Sequence, residues 1–371
     1  MSNQSTPQNS PIKIRPPANV KAARKRTPEK QESVKAARVS QSGRDITDPG
    51  LDRYVATTPR MVSFQHLTDF LKTYAEVSIC NLDMKTDTSY EKRPFGSGDS
   101  AYAYRIVIDE RGFAAKVMKA TELTMREVKW NQIVTRNVLA GGFPHFPLIS
   151  RTVQCTSCRD RMSSGFDLTF EKIGDAGCIV MFSELADGDA TAFFSSPKEE
   201  SVWISFVIQV LMACLVLERS GVIHNDLHFG NILYHNQIQN SGKWLSYEID
   251  GEHYYVYHTG QLWTLWDFGL TVKDGELDPR DQTRLNDSFY TDIALTFIGK
   301  VRERTQFSNF STLSSLIQII TERRESSPKR AGGVADVIRA VGNDLQPYCK
   351  KILGEDETVN DTPFKIFNLN E

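Results

Sequence analysis

Cysteine is scarce and scattered in this sequence, six in 371 residues, and the chain opens without the basic start and apolar run of a secretory signal. That scarcity argues against a disulfide framework and sets the expectation of a reducing compartment inside a cell. Cys155 and Cys158 form C-x-x-C, but no second C-x-x-C supplies the other half of a zinc site. Long apolar runs are lacking too. The most apolar one, Trp203 to Leu217, contains Ser205 and Gln209 and falls short of the roughly 20 residues a spanning helix needs, so it reads as a buried core helix with no membrane span. Net charge is also low, −2.

That small value hides an asymmetry. Met1 to Gly50 holds ten Lys and Arg against Glu29, Glu32, Asp45 and Asp48, which is +6 and leaves −8 for the remainder. Residues 1–60 combine basic residues, proline and serine with almost no large apolar side chains, too little to offset the entropy of ordering, and are expected to be a disordered basic tail. Val20-Lys21-Ala22-Ala23-Arg24 recurs there as Val34-Lys35-Ala36-Ala37-Arg38. Two readings stand side by side: a contact arm for nucleic acid or an acidic protein, and a merely solvated tail.

What is present beyond the tail, with 40% hydrophobic residues, suffices for one large domain in two halves. Phe64, Leu67, Phe70, Leu71 and Tyr74 follow helical spacing after Ser63, an N-capping residue, and predict a brace helix. Phe95-Gly96-Ser97-Gly98 precedes the alternating Tyr104, Ile106 and Ile108 and then Gly112-Phe113-Ala114-Ala115-Lys116. Glycines at a strand turn let backbone N–H groups approach phosphate oxygens, and a lysine on the following strand reaches the same phosphates. Lys116 lies eighteen residues after Gly98, room for two strands and a turn. A helix is predicted over 121–138. On it Glu127 is the carboxylate expected to hold Lys116, against the alternative of an exposed pair with Lys129.

Cys178 to Phe182 reads as a buried strand running into Ser183-Glu184-Leu185, a polar connector whose backbone at Glu184 and Leu185 would bond an adenine edge. Next comes Gly221 to Leu233, which places Asp226 five residues before Asn231 and His224 two before Asp226. In such a loop the aspartate accepts the proton of an attacking hydroxyl, and the amide holds Mg²⁺. Asp267-Phe268-Gly269, behind an apolar strand, supplies the second metal-binding carboxylate. Between them Trp244 to Tyr257, with Asp250-Gly251 at its middle, predicts an inserted hairpin. Helices are expected over 289–301, 312–324 and 334–352.

The ordered set Gly96, Gly98, Lys116, Glu127, Asp226, Asn231 and Asp267 resembles the eukaryotic-type protein kinase superfamily over roughly residues 95–301. The Asp226-Leu227-His228-Phe229-Gly230-Asn231 loop and the long insertion before Asp267 are similar to haspin-type kinases and to the serine/threonine kinases of large DNA viruses. The resemblance implies an α+β, bilobal fold. Residues 61–183 would form a small antiparallel-sheet lobe with one main helix and the brace. Residues 184–371 would form a larger helical lobe. It implies ATP and Mg²⁺ as cofactors and a protein substrate with a Ser or Thr acceptor. Asp226 would be the base, Lys116 and Glu127 would serve the phosphates, Ala114 would line the adenine pocket, and Asn231 and Asp267 would hold the metal. For the viral type it implies host cytoplasm, nucleus or virion.

Three departures stand out. Asn225 replaces the arginine that clamps a phosphorylated activation loop, His228 replaces a lysine, and no Ala-Pro-Glu anchor follows Gly269. A small-molecule phosphotransferase of the aminoglycoside or choline kinase kind and a pseudokinase scaffold are the competing readings.

Overall fold

The computed structural model describes residues 59–80, 88–90, 96–97, 101–141, 143–156, 158, 177–238, 241, 244–273, 276, 297–304, 310–326, 334, 337–339, 349–352 and 364–365. The expected tail over 1–58, Gly98, and the segment 289–296 lie outside the described residues. The described part is a mixed α+β fold of antiparallel sheets and helices.

Helix α1, Pro59–Lys72, begins four residues before the Ser63 cap expected from the sequence. Pro59 and Arg60 therefore belong to folded structure, not to the tail that the composition of residues 1–60 suggested. Proline at a first helical position costs nothing because that N–H has no intrahelical partner. Helix α2, Glu76–Cys80, follows. Both cover one face of a six-stranded antiparallel sheet. Its strands are β1 (Thr88–Tyr90), β2 (Gly96–Ser97), β3 (Ala101–Ile108), β4 (Arg111–Lys119), β5 (Ile149–Cys155) and β6 (Cys178–Glu184). Alternation does the sorting: Phe113, Ala115 and Val117 of β4 pack with Leu67, Leu71, Ile79, Val153 and Val180 under the two helices. Met118 faces the other way, onto Val128, Ile149 and Met181. Helix α3, Glu122–Gly141, carries Val128 there, and its predicted span was short by three residues at the C-terminal end.

The cysteines correct an expectation. Cys80 is bonded to Cys155 and Cys158 to Cys178, so four of the six pair, at one end of β5 and β6. Sequence spacing gave no hint, because Cys80 and Cys155 stand 75 residues apart.

After β7 (Gly188–Asp189) and the single turn α4 (Ala190–Phe193), helix α5 runs Glu200–Arg219. It is long and apolar enough to cross a membrane. All fifteen residues from Trp203 to Leu217 are nevertheless buried inside the protein, as a core helix requires. Its two polar residues are answered within the fold: Ser205 donates to the Tyr257 carbonyl at 2.7 Å, and Gln209 donates to the Gln261 carbonyl at 3.1 Å while accepting from Trp263 N–H at 3.1 Å. A buried polar group without such partners would cost stability. Glu200 in the first turn and Arg219 in the last complement the helix dipole.

Strands β8 (Val222–Ile223) and β9 (Ile232–Asn236) bracket the Asp226 loop, and the expected inserted hairpin forms as β10 (Trp244–Ile249) and β11 (Glu252–Tyr257). Its turn places Asp250 at φ 53° and Gly251 at φ 78°, the left-handed pair that matches strand twist in a two-residue hairpin. Strand β12 (Gln261–Leu265) pairs with β9, and β13 (Val272–Lys273) pairs with β8. Helices α6 (Ile298–Arg304) and α7 (Ser311–Ser326) follow, α7 covering the span predicted from 312 to 324. A second correction comes last. The helix expected over 334–352 does not persist: Cys349–Ile352 is strand β14, paired with β11, and β15 (Phe364–Lys365) joins the far edge at β10. The apolar residues of the hairpin supply an edge that a local helical pattern cannot foresee.

Candidate active site

Register brings the first group together. Gly96 pairs with Ala103, Ala103 with Lys116, and Lys116 with Met181, so the glycine turn and the lysine lie in one row across the sheet. Ala114 lies two residues before Lys116, hence on the same face, opposite Ser183. The Leu185 side chain packs so closely on Gly112 that a Cβ there would sit 2.9 Å from Leu185 Cδ2. The carboxylate of Glu127, one turn and a half into α3, accepts from Lys116 Nζ at 2.5 Å, and the Asp267 carboxylate lies 3.6 Å from the same ammonium.

Burial works against the Lys116 charge, but Glu127 and then Asp267 outweigh it and hold the ammonium's pKa at about 12. Burial pushes the Glu127 carboxyl up against the pull of Lys116. For Asp267 burial acts upward as well, yet Lys116, His224 and the Gly269 N–H together keep it below the usual carboxylate range. Lys116 is thus a fixed cation between two carboxylates.

Two short ladders bring the second group to the first. Ile232 pairs with Leu265 at the end of the β9–β12 ladder, and just past it Trp266 N–H donates to the Asn231 carbonyl at 2.8 Å. Ile223 pairs with Val272 on the other side of the loop. Between these clamps Asn231 Nδ2 donates to the Asp226 carbonyl at 2.9 Å and to its carboxylate at 3.1 Å. His228 Nε2 lies 3.7 Å from the same carboxylate, while its Nδ1 accepts from Gly230 N–H at 3.0 Å. Asp226 and Asp267 keep about a third and about a half of their side chains exposed, whereas Glu127 is buried. The loop therefore presents its carboxylates outward.

His224 and Asn225 hold the loop from behind. His224 Nε2 donates to the Trp266 carbonyl at 2.8 Å, and its ring packs on the buried Phe268 at 5.2 Å. Asn225 stands at φ 62°, a left-handed conformation that asparagine tolerates, and its amide donates to the Leu270 carbonyl at 3.1 Å. This asparagine ties the loop to the turn after Asp267. Asp267 is itself left-handed, at φ 63°.

Glu184 is committed elsewhere. Its carboxylate takes two hydrogen bonds from Arg60 at 2.5 and 2.6 Å and a third from Leu148 N–H at 3.0 Å. Its own N–H donates to the Leu148 carbonyl at 3.3 Å. Arg60 also donates to the carbonyls of Pro144 and Phe146, at 2.5 and 2.8 Å. Sequence reasoning missed this buried centre because Arg60 sat inside the basic tail and nothing in a basic run marks one arginine as interior. The same blindness covers His145, whose ring bridges the Trp263 carbonyl at 2.7 Å and the Tyr247 hydroxyl at 2.6 Å.

The Asp267 carboxylate and the Asn231 amide oxygen are hard oxygen donors of the kind Mg²⁺ takes. No protein-family model matches the chain, and no curated protein matches it.

Proposed function

We propose that this chain is an ATP- and Mg²⁺-dependent protein kinase that phosphorylates serine or threonine hydroxyls. In this reading the fold is bilobal, with the sheet and α3 above a cleft and the α5 core below it. The observation that carries the reading is Lys116, ion-paired to Glu127 at 2.5 Å with Asp267 3.6 Å away, facing a loop whose Asn231 is hydrogen-bonded to Asp226. Asp267, 46% exposed, leaves that side of the pair open to an arriving ligand.

Each residue then has a task. Lys116, kept charged by its neighbours, binds the nucleotide phosphates, and Glu127 fixes its direction. The row from Gly96 to Lys116 carries backbone N–H groups toward those phosphates. Ala114 and Leu185 bound the adenine, and with the Glu184 N–H and carboxylate already engaged the adenine edge falls to Leu185. Asp226 orients the acceptor hydroxyl and takes its proton. Mg²⁺, held by Asn231 and Asp267, would neutralise charge on the transferred phosphoryl group.

The test is transfer of labelled γ-phosphate from ATP to mixed protein acceptors by the full chain, beside Lys116→Met and Asp226→Asn. Label on serine or threonine from the parent alone supports the proposal. Nucleotide binding without protein label sinks it and turns attention to a small-molecule acceptor.

A further inference from the structure

The four paired cysteines lie at one point. Cys155 and Cys178 are direct partners across the β5–β6 ladder, so their side chains emerge on the same face of the sheet. Cys80, the last residue of α2, reaches Cys155 from above, and Cys158, three residues beyond Cys155, reaches Cys178. All four are buried, between 0% and 6% exposed, in the same apolar cluster as Val153, Val180 and Ile79. The chain backs this up tightly. Gly177 stands at φ 106°, and a Cβ there would meet the Cys155 carbonyl at 2.7 Å, so the backbone entering Cys178 passes against the one leaving Cys155.

In the disulfide form no three ligands among the described residues stand ready for a metal. Reduction changes that. Two equivalents of a dithiol reductant convert both disulfides to four thiols and leave as two cyclic disulfides, with electrons and protons balanced. Four unpaired thiols then face one another in a dry pocket. Four sulfurs, two of them from a C-x-x-C step, are the donor set of a closed tetrahedral zinc site. Zn–S bonds of about 2.3 Å put neighbouring sulfurs about 3.8 Å apart. With Cα atoms 5.6 and 5.9 Å apart within the two pairs, rotation about the Cα–Cβ bonds can supply that spacing.

We propose that the reduced protein binds one Zn²⁺ through Cys80, Cys155, Cys158 and Cys178, releasing the four thiol protons. The ion fastens α2, and with it the α1–α2 cover, to the sheet that carries Lys116. The sequence alone showed half of this set, the C-x-x-C. The other half comes from a helix end 75 residues earlier and a strand start 20 residues later.

The experiment uses the full chain, reduced by a dithiol under anaerobic conditions, loaded with Zn²⁺ or Co²⁺ and freed of excess metal. About one Zn²⁺ per chain is expected, and the Co²⁺ form should show the thiolate charge-transfer and visible bands of a tetrahedral four-sulfur site. Cys178→Ser should lose the metal, whereas Cys214→Ser, whose thiol is buried in α5 away from the cluster, should keep it. Because the first variant could fail to fold, the cobalt spectrum of the parent chain decides on its own. A reduced, folded chain that retains no Zn²⁺, or a cobalt spectrum lacking sulfur charge transfer, overturns the proposal, and neither result bears on phosphate transfer.

Discussion

Two buried ion pairs flank β6 and its end, and they are built of the same chemistry for opposite purposes. Arg60 and Glu184 are both almost fully enclosed, at 5% and 3% side-chain exposure, and the guanidinium donates to Glu184 and to the carbonyls of Pro144 and Phe146. Lys116 and Glu127 differ: the lysine is 19% exposed, and its second carboxylate, Asp267, is 46% exposed. A closed pair satisfies itself and locks α1, the segment 143–148 and the end of β6 together. An open pair keeps charge available for something that arrives. Removing one residue from each should therefore produce losses of different kinds.

The largest effect is expected at the open site, in rate. On the proposed kinase reading, Asp226→Asn should lower phosphoryl transfer by about 10² to 10⁴-fold, the range a positioned general base supplies, with nucleotide affinity little changed. Lys116→Met should lower transfer by about 10² to 10³-fold. Its unfolding midpoint should move little, because Glu127, whose carboxyl burial already pushes upward, can take a proton in place of its lost partner. Single-turnover rates beside urea melts give both numbers. A Lys116→Met chain that transfers normally would remove the distinction between the pairs.

At the closed pair the expected loss is in stability. Arg60→Met strands a buried carboxylate and two carbonyls, a change worth about 3–5 kcal/mol, measured as a fall in the urea midpoint. The double variant Arg60→Met with Glu184→Leu should regain much of that loss, since apolar residues can replace a buried pair when both members go. Leu148 N–H and the two carbonyls would still lack partners, so recovery should be incomplete.

The same contrast has a pH signature. Burial keeps His145 neutral, with its pKa lowered to about 3, and burial likewise lowers His235 to about 4 despite the nearby Glu184. The unfolded chain binds these two protons near the ordinary histidine value of about 6.5, so stability is intact above that pH and falls as the solution is acidified toward the folded values. Each histidine adds a slope of about 1.4 kcal/mol per pH unit within that window. Glu127 acts the other way: its raised carboxyl favours the folded protonated form as pH drops. Urea melts from pH 7 to pH 5 should show the acid loss, and His145→Gln should reduce the slope by about one proton's worth. An unchanged slope would mean that His145 is already charged in the folded chain.

What the sequence disclosed, and what it hid, follows from range. The Lys116–Glu127 pair and the Asn231–Asp226 hydrogen bond were legible because they join residues 11 and 5 positions apart. Helix α5 and the Asp250-Gly251 hairpin were legible from periodicity and turn residues. The cysteine pairing was not, because β5 and β6 meet only through the sheet. The strand at Cys349–Ile352 was not either, since its partner, β11, lies about a hundred residues earlier. Arg60 was hidden by its company: ten neighbouring cations made it look like tail.

The smallest effect sharpens the comparison from outside. Asp250 at the hairpin turn accepts from Arg219 of α5 at 2.7 Å and from Arg339 at 2.8 Å, and Arg339 also approaches Glu252 at 3.8 Å. Like the Arg60 centre, this cluster joins arginine to carboxylate at hydrogen-bond distance. Its groups are exposed, however: Asp250 by half and Arg339 by 40%. Water competes for each charge, and holding the long arginine side chain in place costs entropy that the attraction barely offsets. Arg339→Ala should therefore cost less than about 1 kcal/mol, and that loss should shrink further in high salt. Arg60→Met should be insensitive to salt, because no ion reaches its pair. Urea melts of the two variants at low and high ionic strength measure the difference directly. Equal losses with equal salt dependence would show that enclosure is not what separates the two clusters.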